Sequence, residues 1–392
     1  MSFDLPIDRR GTNCYKYDTM PYPDTIPLWV ADMDFETAPV VMDALKKRLE
    51  HGCFGYTAVP DSFYEATINW FGKRHGWKPE RNWFIYTSGV VPAISAIIKA
   101  MTEPGDKVLV QTPVYNCFFS SIRNNGCIAE EAPLTLSGND YIIDFEAFER
   151  HCADEKVKVF ILCNPHNPAG RVWTREELLR VGEICLKNHV FVISDEIHCE
   201  ITYPGHDYTP FGTLPDEIVR NSATCCSPTK PFNIAGIQIA NIIAKDPEVV
   251  RRVDRAINDN ECCDVNVFGV AALIAAYGES GEWLDEMLSY VYENYLTLKD
   301  FISKELPKAK VLPLEGTYLP WLDLGAYRKE GEPLEGFSAR LNKHLEEKAK
   351  LILSCGTIYG PEAEGFQRIN IAAPRKRVLE GLRRLKYGLE TY

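Results

Sequence analysis

The chain has 392 residues, of which 45% are hydrophobic and 11% aromatic, so it can bury a large core and exceeds the usual size of one domain. Its formal net charge of −12 disfavours nucleic acid or an anionic membrane as the main partner. No apolar run approaches the roughly 18 residues of a membrane span, and residues 1–20 lack the apolar core of a secretory signal, so we expect a cytoplasmic protein.

The thirteen cysteines do not change that expectation. Their number is odd and the chain is long, which fits reduced thiols in a cytoplasm better than a disulfide framework. Cys163 and His166 are three residues apart, but no second pair completes the ligand spacing of a zinc site. We therefore expect no metal.

The N-terminal region lacks clear periodicity and is rich in proline and aromatic residues, so we predict an arm over residues 1–45 that packs on a smaller domain or on a partner subunit. From about residue 83, short apolar runs alternate with helical periods, as in a mostly parallel sheet covered by helices on both faces. About seven strands are predicted, an ordinary large sheet. They cover residues 83–86, 107–111, 128–133, 157–162, 190–194, 223–226 and 237–243.

A helix follows the first of these strands, since apolar residues recur at helical spacing from Val91 to Met101. Its start after Ser88 and Gly89 could offer free amides to a phosphate. An ordinary helix capped by the Ser88 hydroxyl explains the same sequence equally well.

A second region begins near residue 285, where a long helical stretch gives way to separated strands at 310–313, 317–323 and 366–371. We predict a large domain over residues 46–284 and a smaller α+β domain over residues 285–392. The overall class is therefore α/β, with a second, smaller domain.

Three predicted strands lead into polar residues that carry chemistry, namely Asn167, Asp195 and Lys230. In open α/β sheets, ligands bind beyond the carboxyl ends of the strands. Each pair of successive residues is separated by about one strand-to-strand crossover, so all three can meet in one crevice.

An Asn, an Asp and a Lys in one crevice are what a pyridoxal phosphate site requires. The Lys230 amine can form a Schiff base with the cofactor aldehyde, and Asp195 can keep the pyridine nitrogen protonated so that the ring withdraws electrons. By itself Lys230 would be a solvated surface lysine, but Pro231 directs it into an extended or turn conformation.

An ordered set of motifs spans nearly the whole chain. They are Pro27–Phe35, Gly55–Thr57, Thr87–Pro92, Thr112–Tyr115, Asn164–Pro168, Ser194–His198, Ser227–Asn233 and Arg368–Asn370. With these motifs the chain resembles the fold-type I pyridoxal-phosphate-dependent enzymes, specifically the MalY/PatB group of cystathionine β-lyases and C–S lyases. The resemblance implies that fold, with pyridoxal 5′-phosphate as the cofactor.

The resemblance implies roles around the cofactor ring. Lys230 would be the Schiff-base lysine, Asp195 the partner of the pyridine nitrogen, and Asn167 a donor to the phenolic oxygen. Tyr115 would stack on the ring, although a tyrosine packed at a strand end is an equal interpretation. His198 is assigned only to the shell around the cofactor.

The resemblance also implies contacts to the phosphate and the substrate. The amides of Val90 and Val91 and the hydroxyl of Ser227 would hold the phosphate. Tyr56 would reach the phosphate of the neighbouring subunit, which implies a homodimer with shared active sites. Arg368 would clamp the substrate carboxylate through its planar fork.

Two further residues and one departure complete the predicted site. Trp29 and Tyr318 are expected to contact the amino-acid substrate, although core packing accounts for them equally well. Many fold-type I aminotransferases grip the phosphate with an arginine at a position that is Gln238 here. The phosphate charge would then be balanced mainly by helix amides, hydroxyl groups and Tyr56.

The resemblance implies a carbon–sulfur β-lyase that cleaves cystathionine, cysteine or cysteine S-conjugates to a thiol, pyruvate and ammonia. Two alternatives stay open at this stage. One is a pyridoxal-phosphate-dependent aminotransferase acting on an L-amino acid, since both reactions remove the Cα proton. The other is a non-catalytic regulatory module that binds the cofactor without turnover.

Overall fold

A seven-stranded sheet lies at the centre of the computed structural model, which describes residues 3–392. The strands in chain order are β1 (Ile26–Pro27), β2 (Phe84–Thr87), β3 (Lys107–Val110), β4 (Ile128–Glu131), β5 (Thr135–Ser137), β6 (Asp140–Ile142), β7 (Val157–Cys163), β8 (Phe191–Asp195), β9 (Ser222–Cys226), β10 (Ala240–Ile243), β11 (Lys310–Val311), β12 (Trp321–Asp323), β13 (Leu351–Ile352), β14 (Ser354–Cys355) and β15 (Phe366–Arg368). The α-helices are α1 (Tyr15–Asp18), α2 (Pro39–Glu50), α3 (Asp61–His75), α4 (Val90–Met101), α5 (Cys117–Asn124), α6 (Phe145–Cys152), α7 (Arg175–Lys187), α8 (Asp216–Arg220), α9 (Pro247–Asn258), α10 (Val267–Glu279), α11 (Gly281–Glu305), α12 (Phe337–His344) and α13 (Arg375–Glu390).

The central sheet has the strand order β2-β10-β9-β8-β7-β3-β4. Neighbouring strands are parallel except at β10, which is antiparallel to β2 and to β9. The prediction of a mostly parallel sheet of seven strands is confirmed. The last predicted strand begins at residue 240 rather than 237, because residues 235–237 form a 3₁₀ turn and Gln238 has a left-handed φ of 58°.

Helices cover the two faces of this sheet, and alternation along β7 shows how the sequence achieves it. Val159 and Ile161 pack in the same core cluster as helix α4, whereas Phe160 and Leu162 pack in the cluster of helix α7. Since β7 is apolar on both sides, it can only be a central strand.

The start of α7 is fixed locally by its sequence. The hydroxyl of Thr174 accepts a hydrogen bond from the Glu177 amide at 3.2 Å, and the Glu177 carboxylate accepts one from the Thr174 amide at 2.8 Å. This capping box places the helix directly after the loop that carries Asn167.

A second, antiparallel sheet has the strand order β11-β12-β15-β14 and lies in the C-terminal region. Its strands are shorter than predicted, and the segment 317–320 is not a strand. The N-terminal arm contacts this region, because β1 pairs in parallel with β13. The domain boundaries drawn from the sequence stay predictions, as does the extent of the arm, of which residues 1 and 2 lie outside the described residues.

Within residues 3–392, no helix is both long and apolar enough to cross a membrane. All thirteen cysteines are free thiols.

Candidate active site

A cavity of about 200 Å³ opens at the carboxyl ends of the central strands. The strand ends are in register there, because Asp195 of β8 pairs with Cys163 of β7 and with Cys225 of β9. The cavity therefore lies where an open α/β sheet binds its ligand. Its wall is formed by Ala31, Gly89, Val90, Val91, Pro92, Tyr115, Cys163, Asn167, Asp195, Ile197, His198, Thr229 and Lys230.

Lys230 lies in a tight turn after β9, in which the Phe232 amide donates to the Pro228 carbonyl at 3.0 Å. Its amine points into the cavity and donates to the carbonyl oxygen of Ala31 at 2.6 Å. Burial, and then the positive charge of Arg368, lower the pKa of this amine to about 8. The uncharged, nucleophilic form of the amine is therefore far more accessible near neutral pH than in an ordinary lysine.

Asp195 is buried at the end of β8, and its carboxylate accepts the Ile197 amide at 3.1 Å. Burial raises the pKa of this carboxyl to about 7, and the nearby charge of Glu196 adds to the effect. Because a buried carboxylate is costly without a counter-charge, this position favours a cationic group in the cavity, which would stabilise the ionised form of Asp195.

The N-terminus of α4 forms one end of the cavity wall, with Gly89 as its N-cap. No side chain of residues 3–392 caps this helix, so the alternative of a helix capped by the Ser88 hydroxyl is not the one observed. The amides at Val90 and Val91 lie at the positive end of the helix dipole, where an anionic group would be stabilised.

Arg368, at the end of β15 in the second sheet, reaches across to the central sheet. Its Nη1 donates to Asn167 Oδ1 at 2.8 Å, and its Nη2 donates to the carbonyl oxygen of Trp29 at 2.8 Å. Because Asn167 uses its oxygen as an acceptor here, its amide nitrogen is the group left to donate.

The aromatic and histidine residues predicted for the site lie around the same cavity. Tyr115 and His198 form part of its wall. Burial, and then the charges of Lys230 and Arg368, lower the pKa of His198, and its Nδ1 has no hydrogen-bond partner in the described part of the chain. The imidazole is therefore neutral and has a nitrogen available to a ligand.

Trp29 and Tyr318 are not part of the cavity wall. Tyr318 is fully buried, its hydroxyl donates to the Ala31 carbonyl at 3.0 Å, and its ring centroid lies 6.0 Å from that of His198. The ring of Trp29 packs against Tyr15, with 5.4 Å between the centroids.

Ser227 and Tyr56 do not contribute to the wall. The Ser227 hydroxyl donates to the Ile239 carbonyl at 2.5 Å and lies 2.9 Å from the hydroxyl of Thr229, which does line the cavity. Tyr56 lies outside the cavity, with 97% of its surface exposed.

Sequence reasoning missed several of the wall residues, among them Ala31, Cys163 and Thr229. Ala31 takes part through its backbone carbonyl, which no side-chain pattern could reveal. Thr229 could have been found, since it lies in the same loop motif as Lys230.

The fit of this cavity to pyridoxal phosphate can be tested group by group. The weakly basic amine of Lys230 suits an aldehyde, and the buried Asp195 suits a protonated pyridine nitrogen. The amide nitrogen of Asn167 suits the phenolic oxygen, and the uncapped start of α4 suits the phosphate. The residues present therefore fit the cofactor. Among residues 3–392 no group of three or more His, Cys, Asp or Glu side chains could hold a metal ion.

Comparison with known proteins agrees with this geometry. The family model for aminotransferase class I and II matches residues 23–385. The chain is 42% identical to the cystathionine β-lyase PatB of Bacillus subtilis strain 168, over 99% of this chain and all of the relative.

Two solved structures extend the comparison. Cystalysin from Treponema denticola, which contains pyridoxal 5′-phosphate, superimposes with a TM-score of 0.95 at 34% identity, over 100% of this chain and 99% of that one. The pyridoxal-phosphate-bound C–S lyase from Staphylococcus hominis gives a TM-score of 0.91 at 35% identity, over 99% of each chain. The predicted fold-type I class and the predicted resemblance are confirmed.

Proposed function

The chain belongs to the class I and II aminotransferase family of pyridoxal-phosphate-dependent enzymes, and within this family we propose that it is a carbon–sulfur β-lyase. The substrate is a small molecule, an L-amino acid with sulfur on Cβ such as cystathionine, cysteine or a cysteine S-conjugate. The products are a thiol, pyruvate and ammonia. A cytoplasmic location is part of the proposal, supported by the thirteen free thiols.

The choice of a lyase within the family is supported by the 42% identity to a cystathionine β-lyase, and the catalytic part of the proposal is carried by Lys230. Its amine lies in the wall of a cavity shared with Asp195 and Asn167, and its pKa is lowered to about 8. An amine with such a pKa can change its protonation state within the enzyme at neutral pH, as a general base must.

The residues that would hold the cofactor divide by the part they contact. Lys230 would bind the aldehyde carbon, Asp195 would pair with the pyridine nitrogen and Asn167 would donate to the phenolic oxygen. The amides at Val90 and Val91 would hold the phosphate. Tyr115 would cover the ring, and His198 would complete its surroundings.

Two hydroxyl groups in the loop that carries Lys230 would lie near the phosphate of the cofactor. Thr229 lines the cavity, and the Ser227 hydroxyl lies 2.9 Å from the Thr229 hydroxyl. We therefore place Thr229 at the phosphate and Ser227 behind it, where it orients Thr229.

When bound, the cofactor would supply an electron-withdrawing ring that makes the Cα proton of the substrate acidic. The free amine of Lys230 would remove that proton, and Arg368 would hold the substrate carboxylate so that Cα lies within reach of the amine. The Cβ–S bond then breaks, and the sulfur leaves as a thiolate with the bonding electrons. Water completes the conversion of the remaining fragment to pyruvate and ammonia.

Substrate contacts beyond the carboxylate would come from aromatic side chains near Arg368. Its guanidinium lies 5.1 Å from the centroid of the Tyr359 ring, and it donates to the Trp29 carbonyl. We propose Trp29 and Tyr318 as residues that shape the substrate side of the cavity.

A homodimer with shared active sites is part of the same proposal. The segment 51–60 has no regular secondary structure and exposes the side chains of Phe54 and Tyr56. Such exposure of aromatic residues favours an interface. Tyr56 would then donate its hydroxyl to the phosphate in the partner subunit.

Complementation between two inactive variants tests this sharing. We expect Lys230→Ala and Tyr56→Ala homodimers to be strongly impaired, whereas a co-expressed, doubly tagged heterodimer has one intact site of two and should regain about half of the wild-type rate. Pyruvate formation measures the result. A Lys230→Ala/Asp195→Asn heterodimer is the matched control, because it has no intact site. A test heterodimer no more active than this control would contradict the role of Tyr56.

The lyase proposal itself is tested by pyruvate formation from L-cystathionine with the cofactor present and no oxo acid added. We expect sustained production over many turnovers, because elimination regenerates the enzyme without a second substrate. Turnover that begins only after 2-oxoglutarate is added would identify an aminotransferase instead. No turnover in either condition, with several thioethers tried, would favour the binding module.

A further inference from the structure

The segment Trp29–Phe35, called the strap below, has no regular secondary structure, yet side chains bind most of its carbonyl oxygens. The Trp29 carbonyl accepts from Arg368 at 2.8 Å, and the Ala31 carbonyl accepts from Lys230 at 2.6 Å and from Tyr318 at 3.0 Å. The strap therefore contacts both the proposed base and the proposed carboxylate clamp, which belong to different sheets.

Asn233, three residues after Lys230, binds the strap with its whole amide group. Its Oδ1 accepts the Met33 amide at 2.9 Å, and its Nδ2 donates to the carbonyls of Met33 at 2.9 Å and Phe35 at 2.7 Å. Its φ of 53° is left-handed, a conformation that asparagine tolerates better than most residues. The lysine loop is thereby fixed to one half of the strap.

Asn370, two residues after Arg368, makes the equivalent contact from the second sheet. Its Nδ2 donates to the carbonyls of Val30 at 2.5 Å and Asp32 at 2.6 Å, and its Oδ1 accepts the Ala372 amide at 2.8 Å. The end of β15, which carries Arg368, is thereby fixed to the other half of the strap.

The part of the chain that precedes the strap holds it from the outside through charge. The Arg9 guanidinium lies 2.6 Å from Asp32 and 2.9 Å from Asp34, and the fully buried Lys16 lies 3.1 Å from Asp34. The hydroxyl of Tyr17 donates to Asp34 at 2.6 Å. Because breaking a buried ion pair leaves a charge without compensation, this anchor resists displacement of the strap.

We propose that Asn233 and Asn370 are positioning residues that act through the strap to set the distance between the Lys230 amine and the Arg368 guanidinium. This inference rests on the proposed function, since these two groups would act on the Cα proton and the carboxylate of one substrate molecule. An error of about 1 Å in such a distance can cost roughly 10²-fold in rate.

The two asparagines should differ in their kinetic effect, because they hold different groups. Asn233→Gly, which removes the side chain without straining a left-handed backbone, should lower kcat with little change in KM. Asn370→Ala should mainly raise KM through the carboxylate clamp. We expect each to lower kcat/KM about 10²-fold, and the double variant to lose less than the product of the single losses, because both act on one strap.

Hydrogen exchange supplies a readout that does not depend on turnover. Both variants should raise the exchange rate of peptides covering residues 29–35 at least about tenfold, whether or not the cofactor is bound. In Asn233→Gly the Met33 amide loses its hydrogen-bond acceptor directly. In Asn370→Ala the strap loses two donors to its carbonyl oxygens and opens more often. Asn221→Ala is the matched control, because Asn221 also donates to a backbone carbonyl, that of Val190 at 2.7 Å, away from the strap.

The proposal is supported if exchange in the strap increases, Asn233→Gly mainly lowers kcat and Asn370→Ala mainly raises KM. Unchanged exchange, or a loss of kcat/KM no larger than that of Asn221→Ala, overturns it and leaves the two asparagines with a structural role. The wild-type pyruvate assay decides the lyase function beforehand, so a negative result with these variants counts against the positioning role alone.

Discussion

Replacement of Lys230 by alanine should lower the rate of pyruvate formation by about 10⁴-fold or more, because one side chain supplies both the covalent attachment of the cofactor and the base that removes the Cα proton. Among the described residues of the wall, none can take over this role: Asp195 would be engaged with the pyridine nitrogen, and the His198 imidazole has its pKa lowered by burial.

The measurement is pyruvate formed from L-cystathionine with saturating cofactor, accompanied by the amount of cofactor retained after gel filtration. Lys304→Ala is a suitable control, since that lysine is exposed and pairs with Asp300 on the surface of α11. A Lys230→Ala protein that kept more than a few per cent of the wild-type rate would contradict the assignment of the base.

The central sheet could be predicted because the sequence signals for its strands lie within short stretches of the chain. From Val159 to Cys163 the strand β7 is a continuous apolar run, and such runs occur where a strand is buried on both faces. Its end in a loop rich in Asn and Pro then pointed to Asn167. The start of β10 was predicted three residues too early because Gln238 has a left-handed backbone, which its residue type does not indicate.

The strap could not be predicted in the same way, because it acts through backbone atoms. The carbonyl of Ala31 contacts the Lys230 amine, but an alanine carries no signal of this role. Asn233 and Asn370 were visible as members of motifs, yet their partners lie about 200 and 340 residues away and follow only from the tertiary fold. For Ser227 the motif predicts a role at the phosphate, which stays a prediction, whereas its hydrogen bond to the Ile239 carbonyl follows only from the tertiary fold.

Asp195→Asn should have opposite effects on function and on the stability of the cofactor-free protein. Turnover should fall about 10³-fold, because a neutral amide cannot balance a protonated pyridine nitrogen and the electrostatic stabilisation of the reaction is lost. Stability should rise at the same time, since the burial that raises the pKa of this carboxyl to about 7 also makes its charged form costly.

The pH dependence of that stabilisation follows from the sign of the shift. Asp195 is an acid with a folded-state pKa of about 7 and an ordinary pKa of 3.8, so the folded protein binds more protons than the unfolded chain between these values and loses stability as the pH rises through them. Asp195→Asn should therefore be nearly neutral near pH 4 and stabilise the cofactor-free protein by up to about 4 kcal/mol at pH 8. Denaturant unfolding at these two pH values measures the effect, with the exposed Asp43→Asn as control. If the Asp195→Asn protein were less stable than wild type at pH 8, the carboxylate would already be balanced within the protein, and the cavity would then not require a cation at this point.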